Sequence, residues 1–186
     1  MRALPAIMIA LSLTACTTAE VAKPSAGNWS IDNKADRITG VPTSRVFVES
    51  RATNSRSGKS AVAIVQLMCF EKEPIVRFAY DFRVGANASA TLDYRFDQKP
   101  GRKADVKFLA DSRTAVMGDR AALARFVEEL ATSSVLFVRV TSLSLGRTEA
   151  EFRVPGGSAA IDAGYAECPL KRSAGAASFE TARKMG

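Results

Sequence analysis

Val76-Arg77-Phe78-Ala79-Tyr80-Asp81-Phe82-Arg83-Val84 is the stretch from which the fold class is read. Val76, Phe78, Tyr80, Phe82 and Val84 occupy alternate positions, with Arg77, Ala79, Asp81 and Arg83 between them, which is the period of a strand with one buried face. Gly85 to Ser89 reads as a turn. Beyond it Leu92, Tyr94 and Phe96 alternate with Asp93, Arg95 and Asp97, so the two stretches are expected to form an antiparallel hairpin. After the Lys99-Pro100-Gly101-Arg102 turn, Val106 and Phe108 continue the β pattern around Lys107.

Working outward, Val46 to Glu49 and Ala61 to Phe70 are rich in β-branched and long apolar residues and read as strands, with the polar, turn-like segment Arg51 to Ser60 as a loop between them. That loop ends in Gly58-Lys59-Ser60, like a phosphate-binding loop. Thr53 stands where such a loop needs its first glycine, and a β-branched run follows instead of a helix, so a basic hairpin loop is the reading. The period changes once: Leu123, Phe126, Val127 and Leu130 fall at i, i+3, i+4 and i+7, predicting a helix over Asp119 to Thr132 capped by Asp119 and carrying an Arg125–Glu129 pair. Val135 to Val140 and Ala150 to Val154 read as further strands. Ser158 to Cys168 reads as a short helix that Pro169 ends. The expectation is an α+β fold, mainly an antiparallel sheet arranged as a sandwich or a curled sheet, with one covering helix and a short C-terminal helix.

The chain has 186 residues, enough for one domain with one sizeable core. It carries 26 Lys and Arg against 19 Asp and Glu and no histidine. Without histidine there is no Ser-His or Cys-His nucleophile and no imidazole to hold zinc, which lowers the expectation of an enzyme. A carboxylate-dependent envelope hydrolase is the alternative, with Asp93 and Asp97 as its acids. At about 3.4 Å per residue, however, they stand roughly 13 Å apart along one strand, too far for a glycosidase pair without a bulge. Acidic residues nowhere take the spacing of a calcium loop, and neither metal nor cofactor is expected. A basic binding face made by Arg45, Arg51, Arg56 and Lys59 is the better candidate site.

Leu13-Thr14-Ala15-Cys16, after a single Arg2 and a short apolar run, resembles a bacterial lipobox, where lipidation and leader cleavage meet at one cysteine. The resemblance implies a signal peptide over 1–15, a palmitate-bearing Cys16, a tether over 16–28, a domain over 29–169 and a basic tail over 170–186. Loss of Arg2 leaves a surplus of six positive charges, of which the tail supplies three. By the same resemblance, in the sorting pattern of enterobacterial lipoproteins, Thr17 and not an Asp after the cysteine implies the outer membrane facing the periplasm, where nucleic acid is not an expected partner. Lys171, Arg172, Arg183 and Lys184 are candidate headgroup contacts. With Cys16 carrying lipid, Cys69 and Cys168 remain as an even pair that an oxidising compartment invites to bond, buried free thiols and a catalytic cysteine being the alternatives.

From Trp29 to Cys168 the order of landmarks is similar to the type VI secretion-associated VasI/TagO-like family of periplasmic proteins. The residues that carry the resemblance are Trp29, the strand into Cys69, Tyr94-Arg95-Phe96-Asp97, Phe126-Val127-Glu128-Glu129-Leu130, Val138-Arg139-Val140, Glu151-Phe152-Arg153 with Gly156, and Cys168. It implies a β-rich domain with an inserted helix, a terminal disulfide and no catalytic residue. The functional expectation is a membrane-anchored accessory or binding lipoprotein that contacts an envelope protein or cell-wall polymer. A purely structural envelope lipoprotein is the blander alternative.

Overall fold

The structure, a computed structural model, describes residues 25–26, 28–35, 42–85 and 89–170. Cys16, Lys171, Arg172, Arg183 and Lys184 lie outside the described residues. In chain order the elements are β1 (Ser25–Ala26), β2 (Trp29–Ala35), β3 (Pro42–Asn54), β4 (Ser60–Phe70), β5 (Glu73–Tyr80), β6 (Ser89–Phe96), β7 (Arg102–Phe108), β8 (Thr114–Met117), α1 (Arg120–Leu130), β9 (Val135–Ser142), β10 (Gly146–Arg153) and α2 (Gly157–Gly164).

The expected sandwich or curled sheet is overturned, because the sheet closes on itself. Around the wall the order is β3-β10-β9-β6-β7-β8-β5-β4, and β4 pairs back onto β3. These eight strands, all antiparallel, form a closed barrel. Closure depends on the length of β3, which has 13 residues. One edge pairs with β4 from Val46 to Thr53, while the other pairs first with β2 and then, at Ala52 to Asn54, with β10. β2 and its two-residue partner β1 extend the sheet beyond the seam. Ser25–Ala26, within the expected tether, is therefore part of the sheet.

The expected hairpin between Val76–Val84 and Leu92–Asp97 is not made either. β5 lies between β4 and β8, and β6 between β7 and β9. The first stretch is strand only as far as Tyr80 and the second as far as Phe96, and alternation marks which face is buried and not which neighbour pairs. β8, a four-residue strand, fits between β5 and β7.

Side chains fill the interior, as an eight-stranded barrel allows. Val46, Val48, Val65, Leu67, Val76, Phe78, Leu92, Tyr94, Phe96, Val138, Val140 and Phe152 are buried, each on an alternate position of its strand. Charged residues occupy most of the intervening outward positions of β7 and β10, while β6 turns out Thr91, Asp93 and Arg95, and β9 Phe137, Arg139 and Thr141. No helix among the described residues is long and apolar enough to cross a membrane.

Nor does α1 cover a sheet face: it crosses one end of the barrel, from the end of β8 to the start of β9. Asp119 caps it as the sequence predicts, accepting from Ala122 N at 2.8 Å. Phe126 enters the barrel mouth, its ring 5.1 Å from Phe96, 5.2 Å from Tyr94 and 5.9 Å from Phe78 in edge-on contacts. Glu129 bonds to Arg102 at the start of β7 in place of the expected i,i+4 partner Arg125. α2 closes the same mouth. It starts at Gly157 after an uncapped Gly156, not at a Ser158 cap. A Cβ at position 157 would come within 2.2 Å of the Leu130 carbonyl oxygen, so glycine lets the two helices meet. Tyr165 Oη donates to Ile75 O at 3.0 Å, and Cys168 is disulfide-bonded to Cys69 at the end of β4.

The opposite end is closed by polar packing. Asn54, 2 % exposed, donates to Leu145 O and Thr148 Oγ1, both at 2.9 Å, and accepts from Arg56 N, Ser57 N and Ser57 Oγ. One amide thereby satisfies groups on two hairpins that the barrel seam brings together.

Candidate functional site

The outward residues of β3, β10, β9, β6 and β7 line an open groove of about 950 Å³ across the seam. One rung of it runs Thr53, Glu149, Arg139, Asp93, Lys103 in strict cross-strand register. Opposite charges stand next to each other along this rung, the arrangement that cross-strand pairing favours. Arg139 Nε donates to Glu149 Oε1 at 2.8 Å, and Arg147 shares the same carboxylate at 3.4 Å. The next rung aligns Glu151, Phe137 and Arg95. There the Arg95 guanidinium carbon lies 4.7 Å from the centre of the Phe137 ring, a cation–π contact that leaves its charge uncancelled.

Three cations of the groove have no carboxylate partner among the described residues. Arg51 donates to Ser60 Oγ at 3.3 Å and Ser60 O at 3.0 Å, Arg95 rests on Phe137, and Lys103, across the ladder from Asp93, forms no ion pair among the described residues. They project from strands, so their Cα positions are fixed by the ladder while their heads reach solvent. The groove can accept anionic groups repeated along a chain, with Phe137 as an apolar floor.

Of the four residues expected to form one basic face, the structure brings only Arg51 into this groove. Arg45 sits near the other end of β3, opposite Asp32. Arg56 and Lys59 lie on the β3–β4 turn, where the Arg56 guanidinium donates to Ser144 O. Arg95, Lys103 and Arg139 were missed as site residues, although each is an outward charge on an alternating strand. What the sequence lacked was the order of the strands, which alone sets β10, β9, β6 and β7 beside Arg51.

Asp93 also belongs to the groove, between Arg139 and Lys103. Asp97 does not: at a positive φ of 46° it turns the chain, and its carboxylate accepts from Val135 N at 2.8 Å and Ser134 N at 3.1 Å. It thus ties the end of β6 to the start of β9. Among the described residues no three Asp, Glu, Cys or His side chains gather as a metal site would need.

Fold and groove together define a filled antiparallel barrel with a basic outer wall. No known family, curated protein or solved structure matches the chain.

Proposed function

We propose that this chain is an envelope binding domain, tethered through a lipidated Cys16, whose outer-wall groove holds an acidic polysaccharide. The observation that carries the reading is the trio Arg51 on β3, Arg95 on β6 and Lys103 on β7, cations without a carboxylate partner among the described residues that line one groove with Phe137. A surface serving solubility alone gains nothing from aligning unmatched cations on rigid strands, whereas a polymer with regularly spaced carboxylates engages several at once. Open geometry suits a chain passing through better than an enclosed small molecule. Electrostatic attraction of this kind weakens with salt.

Polygalacturonate is a suitable probe, with dextran as the neutral control. The protein is expected to bind polygalacturonate and not dextran, and Arg95→Glu and Lys103→Glu should each weaken binding about fivefold or more. Equal binding by wild type and both variants would overturn the reading. Stronger competition by poly-L-glutamate than by polygalacturonate would transfer the groove to an acidic protein partner.

A further inference from the structure

At the end of the barrel away from the helices, the hairpin turns 55–59 and 143–145 are joined to each other. Ser55 N donates to Arg147 O at 2.7 Å and Arg147 N donates to Ser55 Oγ at 3.0 Å. Asn54 secures the pair from inside through Leu145 O. On this braced support Leu143 is 100 % exposed. Leu109, 45 % exposed, begins the 109–113 turn at the same end, but it lines an outer-wall groove with Met68, Phe70, Ile75 and Val116. A single exposed leucine is ordinary on a protein surface. The charge around these two is not evenly mixed.

Five cations lie on the turns of this end or at their feet, Arg56, Lys59, Arg83, Arg113 and Arg147, against two carboxylates, Asp81 and Asp111. Asp111 is turned into its own loop, accepting from Arg113 N, Thr114 N and Thr114 Oγ1. Arg147 reaches back to Glu149, whereas the Arg56 guanidinium donates to Ser144 O beside Leu143 and Lys59 closes the same β3–β4 turn as Arg56. At the helix end the balance reverses. Residues 71–73, 97–102, 119–130 and 157–168 together hold eight carboxylates and five cations. Among the described residues, therefore, the hairpin end that bears Leu143 is net positive and the helix end net negative.

We infer that the hairpin end docks on an anionic lipid surface, with Leu143 among the headgroups and Arg56 and Lys59 against the phosphates. An acidic polymer in water would satisfy the cations but leave Leu143 exposed. A bilayer interface takes both. Ser25 enters the fold beside α2, at the far end, so this contact is separate from any anchor at Cys16.

The test uses full-length protein and co-sedimentation with vesicles of phosphatidylglycerol and phosphatidylcholine in equal parts, or of phosphatidylcholine alone. All proteins share the same N-terminal residues, so differences between them report the tip. Wild type should bind the anionic vesicles about tenfold more tightly, and Leu143→Asp and Lys59→Glu should each lose roughly fivefold of that affinity with unchanged thermal melting. Arg95→Glu and Lys103→Glu, in the wall groove, should bind vesicles as wild type does. A Leu143→Cys, Cys16→Ser protein carrying an environment-sensitive dye should shift to the blue on anionic vesicles. Wild-type vesicle binding by the tip variants, or a dye that does not shift, would each overturn the inference.

Discussion

Asp111 shows how one carboxylate can set local order and make it pH-dependent. Its strongest interaction is the backbone N–H of Arg113, assisted by Thr114, and together these hold its pKa below the usual carboxylate value. A folded-state pKa that is depressed stabilises the native state above the unfolded value near pH 4 and loses that contribution as pH falls through the folded value. The Tm gap between wild type and Asp111→Ala should therefore be full at neutral pH and narrow as pH drops below about 4, which thermal melts across pH will measure. Solvent access to Asp111 keeps the gap small. At this scale the sequence was misleading for β3. Arg51-Ala52-Thr53-Asn54 has polar or small residues throughout and reads as loop, yet Ala52 and Asn54 point inward and Arg51 and Thr53 outward. The inward face there needs little volume, because Asn54 closes the end by hydrogen bonding instead of apolar bulk. Arg51 consequently belongs to a wall and not to a loop.

Among the elements, α1 was legible because its apolar stripe and Asp119 cap are both local signals. Its place was not, since the residues that receive Phe126 come from β5 and β6, up to 48 positions earlier. Phe126 contacts three aromatic rings at once, so Phe126→Ala should remove both its burial and those edge contacts. A loss of about 4 kcal/mol is expected, read from urea unfolding, with the barrel still folded at low denaturant. α2 is held differently, by Gly157 against α1, by Tyr165 and by the Cys69–Cys168 disulfide. The pairing of these cysteines was readable once Cys16 was assigned to lipid, because only two remained. Their sequence separation of 99 corresponds, in the chain-entropy picture, to roughly 4–5 kcal/mol. Cys69→Ala together with Cys168→Ala should lower stability by about that amount, and a midpoint unchanged from wild type would argue that the bond contributes no constraint.

For the whole molecule, closure is the property that local patterns could not carry. Alternation in β5, β6, β9 and β10 told which residues face the core, and a sandwich, a curled sheet and a barrel all share that requirement. The difference lies in the contacts of β3 with β10, where Ala52 meets Ala150 and Thr53 meets Glu149 across nearly a hundred residues of chain. Those few pairs close the wall and also complete the groove, for without them Arg51 would stand on one sheet edge and Glu149, Arg139, Asp93 and Lys103 on another. Fold and proposed function therefore rest on the same seam, and one titration examines both. Assigned backbone and arginine side-chain NMR spectra recorded as polygalacturonate is added should show shifts clustered on Arg51, Thr53, Arg95, Lys103, Phe137, Arg139 and Glu149, drawn from both sides of the seam. Shifts confined to one side of it, scattered over the surface, or missing at saturating polymer would contradict the account.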